Sequence, residues 1–560
     1  MDGKPGIFPL YPSGPMQVKP ASTQIPQFAG HSTFDDRGRQ EYLEVDPIAV
    51  GKTLVLAPED PERHVTIRAT IGDLMLLDGR NVAQNGWLVV RSLIPAKATG
   101  KVAEWSVRPH SIEGWKRSPV IGFSQAGYHP TQKKVAVIEL DPSDTPLETA
   151  SVFEVTAEGA SVERLKAKVQ RWGRYLRYNY ALVDFSSIEG TGLFFIQYGG
   201  QRTDTFPIGA QVYRSIWHQT LDVWFPVQMD HMFVNEAYRV WHGAAHLDDA
   251  RQAPPNTQHF DGYDPGLAPY ESNGQRSGTP DDRWAFTNKS AATNYGSSAA
   301  LAAASRALRG YNDALAQECL AAAKKAWNDE RQASAAAADT GMEAVFRQGA
   351  ELTATLQLLI TTKERQYADR FSELIWPALD RSLGQSVSAA VRALPYLDTE
   401  FGRKLLPYIR KYKKEIDGLY GQNPYGVPIG TRGWAGNEGV ISWAVTNYHL
   451  HKAYPDLIGP EYVVRGLNYV LGCHPASNVS FVSGVGTRSK KVAYGNNRAD
   501  FTFIAGGVVP GVLILKPDFP ENKEDWPFLW GENEYVIDIC ADYIFLANAV
   551  NDLLREESRD

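Results

Sequence analysis

The feature that most constrains this chain is a change of texture near residue 206. Residues 291–340 hold 19 Ala in 50 positions, and Ala is the residue most at home in a helix. The first 210 residues read the other way. Short β-branched or aromatic runs alternate there with Pro and Gly, as strands bounded by turns do. Thr53–Leu56, Trp87–Val90, Lys134–Leu140, Tyr180–Phe185 and Leu193–Tyr198 are such runs. A chain with these two halves cannot be one layered α/β domain. It must place β-sandwiches in front of an all-α module.

Length agrees, since 560 residues correspond to about three domains at roughly 100–200 residues each. The expected division is a β-rich domain over 1–117, cut at Trp115–Pro119, then a sandwich of immunoglobulin size over 118–205, then a helical module over 206–560. In that module Leu301, Ala304 and Leu308 fall on one face of a helix that Gly310 ends. Asn312 or Asp313 caps the next, with Leu315, Cys319, Ala322 and Ala326 along its stripe. Further helical patterns cover 342–360, 364–380, 384–396, 401–414, 436–452, 460–471 and 535–553. With 211–227 they make about ten helices.

Composition removes several function classes. The net charge of −7 disfavours a nucleic-acid backbone as partner. No run reaches the roughly 18 apolar residues of a membrane span. Met1–Gly6 shows no apolar core of a signal peptide. Three distant cysteines, Cys319, Cys473 and Cys540, make neither a disulfide framework nor a zinc cluster. The 14 Trp and 26 Tyr serve either as buried structural rings or as flat surfaces on which sugar rings pack.

Three polar clusters are candidates for chemistry. Asn235–Tyr263 carries His242, His246, Asp248, Asp249, His259 and Asp261 among Trp241, Phe260 and Tyr263. Carboxylates beside His and Trp suit gripping a polyol and moving protons; a polar helix end with a satisfied loop uses the same residues. His242 and His246 have the spacing of a helical zinc pair, but Gly243 stands where a zincin has Glu. Val50-Gly51-Lys52-Thr53 is no phosphate loop, because Asp46 occupies the required upstream Gly position. Asn423–Gly439 offers Tyr425, Arg432, Trp434, Asn437 and Glu438, with Trp434 free of bulky neighbours for stacking and an amide for hydroxyls. Trp526–Asp538 brings Glu532 and Glu534 to the mouth of the last helix. There a carboxylate is either stabilised by the helix end or, among aromatic rings, held protonated.

In this order the pieces resemble glycoside hydrolase family 9, across about residues 120–560. Ser124-Gln125-Ala126-Gly127-Tyr128-His129-Pro130 resembles the opening of that family's immunoglobulin-like domain, and Phe206-Pro207-Ile208 with Val212-Tyr213-Arg214 resembles the handover into its barrel. Leu467–Pro475, Ser483–Gly486, Pro510–Leu513 and Asn533–Asp538 are similar to later family motifs. The resemblance implies β-sandwich domains followed by an (α/α)6-type toroid, and an inverting hydrolase of β-linked glucan or related saccharides. It implies Glu534 as general acid. Trp241, His242, His246, His259, Tyr263, Trp434, Arg498 and, in Asp281–Phe286, Arg283 and Trp284 would meet substrate. It also implies a secreted or periplasmic protein without an organic cofactor, in a family that calcium often accompanies; no calcium ligand set is readable here.

Two departures follow. The family's Trp-x-Asp-Ala-Gly-Asp base motif has no counterpart, and Tyr263 and Asp281 are only 18 positions apart. That predicts a toroid short by about two helices, with Asp248, Asp249 or Asp261 as the base candidates. Arg488–Arg498 lacks the histidines of the family's substrate loop. A homologue that binds glycans without cleaving them is the alternative. A polysaccharide lyase using Tyr263, Tyr494 and His259 is the third reading.

Overall fold

The computed structural model describes residues 49–60, 64–78, 88–224, 291–335, 342–430, 436–491, 505–511 and 536–557. Short pieces at 6–8, 32–34, 40–42, 47, 233–234, 241–242, 251–252, 284–285, 518–519 and 522 are also described. Near the front, Thr53–Leu56, Val65–Ile71 and Glu104–Pro109 form one antiparallel run of strands. Ala49–Gly51, Leu74–Asp78 and Leu88–Arg91 form a second. Strand alternation turns Ile67 and Ala69 inward, where they meet Leu54, Leu74 and Leu76 in a small core.

The sandwich that follows begins at strand Val120–Gly122 and closes at Phe206–Ile208. Its spine is the fifteen-residue strand Ser161–Tyr175. The first half of that strand pairs with Thr149–Val155 and the second with Tyr178–Asp184. Register shifts in both pairings bend it from one layer into the other. Phe123, Tyr128, Phe185 and Phe206 fill the interior, with Tyr128 edge-on to Phe185 at 5.1 Å and to Phe206 at 5.4 Å.

The Ser124–Pro130 motif is a clasp between the start and the end of this sandwich. Gly127 sits at φ +90°, and a Cβ there would lie 2.0 Å from the Pro207 carbonyl oxygen. Only Gly allows that approach. It lets the Tyr128 amide donate to that oxygen at 3.0 Å. The Tyr213 hydroxyl donates to the Gly127 carbonyl at 3.1 Å, which ties in the segment leading to the helices.

The described α-helices are α1 (Ala291–Leu308), α2 (Asp313–Ala335), α3 (Met342–Thr362), α4 (Arg365–Arg381), α5 (Leu383–Ala393), α6 (Thr399–Asp417), α7 (Leu419–Gln422), α8 (Gly436–Ala453), α9 (Glu461–Val470) and α10 (Ile537–Glu557). Helices α1–α6 share one core around Trp327, Phe371, Leu405 and Ile409. Helices α8–α10 share a second with the loops after α9 and with the sandwich residues Val137, Tyr178 and Tyr180. Trp443 packs against both. No helix among the described residues is long and apolar enough to cross a membrane.

Sequence periodicity misjudged three details. Residues 211–227 do not form an α-helix: the described part runs through turns into a 3-10 helix at His218–Trp224. Helix α1 buries Tyr295, Ser298, Ala299, Ala302 and Ser305, while Leu301 is only half-buried. Helix α2 buries Ala316, Cys319, Ala323 and Trp327, leaving Leu315 exposed. Where Ala is the commonest residue it marks no single face, and the largest rings choose the inner one. Trp327 is the largest side chain in that core, and its indole N–H donates to Thr355 Oγ1 at 2.9 Å. Asn312 caps α2 through the Leu315 amide (3.1 Å), and Asp313 takes the Gly310 amide instead (2.9 Å).

The joint between sandwich and helices is organised by Glu139, 3% exposed on strand Val135–Leu140. Its carboxylate pairs with the Arg117 guanidinium. It accepts from the Tyr180 hydroxyl at 2.8 Å and from the Ala476 amide at 2.9 Å. Arg117 also donates to the Ala476 carbonyl at 3.2 Å and lies 4.3 Å over the Tyr178 ring. Gln125 adds a second tie. Its amide donates to the Leu471 carbonyl, its Nε2 to the Asn478 carbonyl, and its Oε1 accepts from Thr487 and Arg488. Replacing Glu139 by Ala would strand a buried guanidinium, a phenol and an amide. The expected cost is about 3–5 kcal/mol of stability, read as a lower guanidinium-chloride midpoint by tryptophan fluorescence.

Candidate functional site

The described elements converge where α8 and α10 begin. The loops at 480–490 and 505–511 lie side by side: Val509 donates to Phe481 O at 3.1 Å, Ser483 to Gly507 O at 2.9 Å and Gly506 to Ser483 O at 2.6 Å. The start of α8 is seated on them. Gly436 donates to Gly511 O and Asn437 to Pro510 O, both at 2.8 Å. The Asn437 side-chain amide donates to Val509 O at 2.9 Å. Gly511 has φ +73°, and a Cβ there would fall 2.4 Å from that amide, so a larger residue would unseat the helix. The first turn of α10 closes with Cys540 N–H donating to Val536 O at 2.9 Å. Tyr543 reaches from α10 to Ile216 O at 3.1 Å.

Carboxylates gather at this junction. Burial, and then the charges of Asp538 and Asp542, hold the Glu438 carboxyl above its ordinary pKa. Burial likewise raises Asp542. The Ser442 hydroxyl, donating at 3.4 Å, works against that shift, and Asp538 adds to it. Asp538, in the first turn of α10, accepts from the next amide, Ile539 N–H, at 2.9 Å. Glu438 and Asp542 therefore hold their protons more tightly than free carboxyls do. Such a setting suits an acid that must deliver a proton near neutrality.

Glu534 lies just before this turn in sequence and falls outside the described residues, as do Asp248, Asp249, Asp261, His246, His259, Tyr263, Arg283, Trp434 and Arg498. Trp241–His242 is a strand pairing with Phe233–Val234, and Trp284–Ala285 pairs with Arg251–Gln252; their side chains lie outside the described set. Two residues of the Asn423–Gly439 cluster have structural posts. Asn437 spends its amide on the loop, and Tyr425, 6% exposed, stands edge-on between Tyr180 and Tyr469. His474, from the Leu467–Pro475 motif, is buried. It stacks 4.0 Å from Phe481 with its Nε2 2.7 Å from Val479 O, and burial pushes its pKa down to about 4. Cys319, Cys473 and Cys540 are buried free thiols. Among the described residues no cluster of His, Cys, Asp or Glu is placed to hold a metal ion. Asp542 escaped the sequence reading. Its one signal is the one-turn spacing from Asp538, which sets both on one helix face.

Residues 240–545 match the model of glycosyl hydrolase family 9. The chain belongs to glycosyl hydrolase family 9. Residues 116–203 match the cellulase N-terminal ig-like domain. As a member of this family it is an O-glycosyl hydrolase. A metagenome-derived family 9 endoglucanase shares its fold at 20% identity, over 77% of this chain and 99% of its own, with a TM-score of 0.60. A family 9 protein of Bacteroides ovatus does so at 18% identity, over 78% and 99%, also at 0.60. A mutant thermostable endoglucanase from Alicyclobacillus acidocaldarius aligns at 16% identity over 78% and 99%, with a TM-score of 0.57. No curated protein matches the chain. At these identities the likeness describes the fold: β-sandwich first, helical glycosidase module second.

The acid face of this family 9 module carries a pH signature. A carboxyl raised in the folded state binds its proton more tightly folded than unfolded. Its effect on stability is therefore unfavourable once pH climbs from the ordinary carboxylate value through the raised one. Asp542→Asn is expected to raise the melting temperature by about 1–2 °C at pH 7. The gain should shrink toward zero near pH 4, as calorimetry across that range would show.

Proposed function

We propose that this family 9 chain cleaves a cellulose-like β-linked glucan, or a related oligosaccharide, with inversion at the anomeric carbon. The observation that carries the reading is the family match over residues 240–545. That span contains both Glu534 and the aspartates Asp248, Asp249 and Asp261. Endoglucanases among the structural neighbours support the substrate class.

In this reading Glu534, three positions before α10 in sequence, protonates the leaving glycosidic oxygen. One of Asp248, Asp249 or Asp261 draws the proton from a water on the opposite face of the sugar. Inversion requires about 6.5–9.5 Å between the two carboxyls, room enough for that water. Burial raises the pKa of Glu438 and Asp542, the latter on the helix that follows Glu534 in sequence, and a general acid near neutral pH calls for the same kind of raised carboxyl. Trp241, Trp284, Trp434 and Tyr263 offer flat faces to sugar rings; His242, His246, His259, Arg283 and Arg498 offer donors to hydroxyls. Two carboxyls and water complete the reaction, so no organic cofactor is assigned. The division at residues 117 and 205 assigns the helical part from 206 to catalysis. A polymeric glucan places the enzyme outside the cytoplasm, secreted or periplasmic.

Glu534→Gln is expected to lower kcat on a soluble β-glucan by about 10²–10⁴-fold, the usual worth of a general acid, with ligand binding retained. NMR of the first-formed product should show the α-anomer. Full activity in the variant would remove Glu534 from the acid role. Binding without turnover in the unaltered protein would favour the glycan-binding reading, which the lack of a twin-Asp motif between Tyr263 and Asp281 motivates.

A further inference from the structure

A pocket of about 460 Å³ lies at the first turns of α1 and α3, against the end of α2 and the later turns of α4. Among the described residues its charged wall is Arg331, Arg347, Arg370, Arg381, Glu351 and Glu373. Both carboxylates are spent within it. Glu351, 6% exposed, accepts from Arg370 Nε at 2.7 Å, with Arg331 Nε 3.8 Å away. Glu373 accepts from Arg370 Nη1 at 2.8 Å. Arg347 has a contact of its own. Even without it, three guanidiniums face two carboxylates.

Arg381 is the cation in excess. It is exposed, and its hydrogen-bond partner among the described residues is Gln348 Oε1, also on the wall, at 3.4 Å. The acidic chain neighbours of the pocket arginines are engaged elsewhere. Glu330 accepts from Asn294, and Asp380 accepts from the Tyr408 hydroxyl at 2.7 Å. A guanidinium offers parallel N–H groups to an oxyanion, and an amide and carboxylates offer partners to hydroxyls.

The pocket lies at the end of the helical module from which α8 and α10 start. Ser442 meets Asp542 near the starts of those helices and Tyr448 meets Asp552 nearer their ends, so the two run parallel. Arg306, near the end of α1, donates to the Gln357 carbonyl near the end of α3 at 3.1 Å. These two also run parallel, and their starts share the pocket. Links of two residues and one residue join α3 to α4 and α4 to α5, so α3 and α5 point alike. Helix α5 packs on both α3 and α8. Its end is near that of α8: burial, and then the charge of Arg392, push the His449 pKa down to about 4. The starts of α1, α3, α5, α8 and α10 therefore lie at one end, and Glu534 precedes α10 by three positions.

The chain carries a net charge of −7, so an acidic polymer gains attraction only where cations are gathered. A hollow of this volume admits a sugar residue. We propose that the glucan taken by this chain bears acid groups, and that the pocket binds one acidic sugar, its carboxylate or sulfate on Arg381 and a hydroxyl on Gln348. The glycan part of the proposal rests on the glucan-cleaving reading; the acid part rests on the arginines.

Titration calorimetry on the full chain carrying Glu534→Gln reads binding apart from cleavage. The probes are carboxymethyl cellulose, cellulose sulfate and neutral hydroxyethyl cellulose. At low salt at least one acidic polymer should bind about tenfold more tightly than the neutral one, and the advantage should vanish near about 1 M salt. In the same background Arg381→Glu should remove that advantage and leave the neutral polymer's affinity unchanged. Glu373→Gln takes away a carboxylate and should strengthen acidic binding about threefold. Both side chains are exposed; Arg381→Gln makes the test if the charge reversal does not fold. If the unaltered chain cleaves no glucan, the cleavage reading fails alone, and the binding preference still decides the pocket. Equal affinity for acidic and neutral polymers, or a preference that neither variant moves, would overturn the proposal.

Discussion

The rest of the structure depends on the pairing of one buried carboxylate. Glu139 sits inside the sandwich edge, where an unpaired charge is not tolerated. It collects Arg117 from the approach to the sandwich, Tyr180 from the neighbouring strand and the Ala476 amide from the loop after α9. Three separate stretches are thereby held in one arrangement. The loop so anchored runs on into 480–490, which is laced to 505–511, which in turn seats the start of α8. Position is handed from a β-strand through the loops to the N-terminal end of α8.

That handover matters for chemistry. The N-terminal part of α10 sets Asp542 in a half-buried position near Glu438 of α8, and burial raises the pKa of both carboxyls. The proposed inverting hydrolysis calls for one carboxyl that keeps its proton and one that has lost it. The sandwich is thus more than a passenger. Through Glu139 and Gln125 it braces the loops on which the start of α8 rests.

Much of the architecture was legible in the chain. Thr53–Leu56 is a strand as read, and Leu193–Tyr198 forms one with Gly192. Helices α3, α4, α8 and α9 end within a residue or two of the periodic pattern. These succeed because local propensity and the apolar period agree. The burial stripes of α1 and α2 failed because a run of Ala is apolar all round, and rotation was decided by Tyr295 and Trp327 docking across helices. Asn437 failed for a related reason. An amide near Trp434 suits a sugar hydroxyl equally well on paper, but the close approach of Gly511 assigns it to Val509.

The sequence by itself determined the order of the modules, the family and the carboxylates available for catalysis, because strand period, alanine content and short motifs are local properties. Only the tertiary structure decided which of those polar groups are spent on holding the molecule together and which are left to act. Glu139, Asn437 and His474 look as available in the sequence as Glu438 or Asp542. What separates them is whether a partner, 337 residues away for Glu139, 72 for Asn437 and 5 for His474, arrives within hydrogen-bond distance. Such partners are set by packing, which no local pattern encodes.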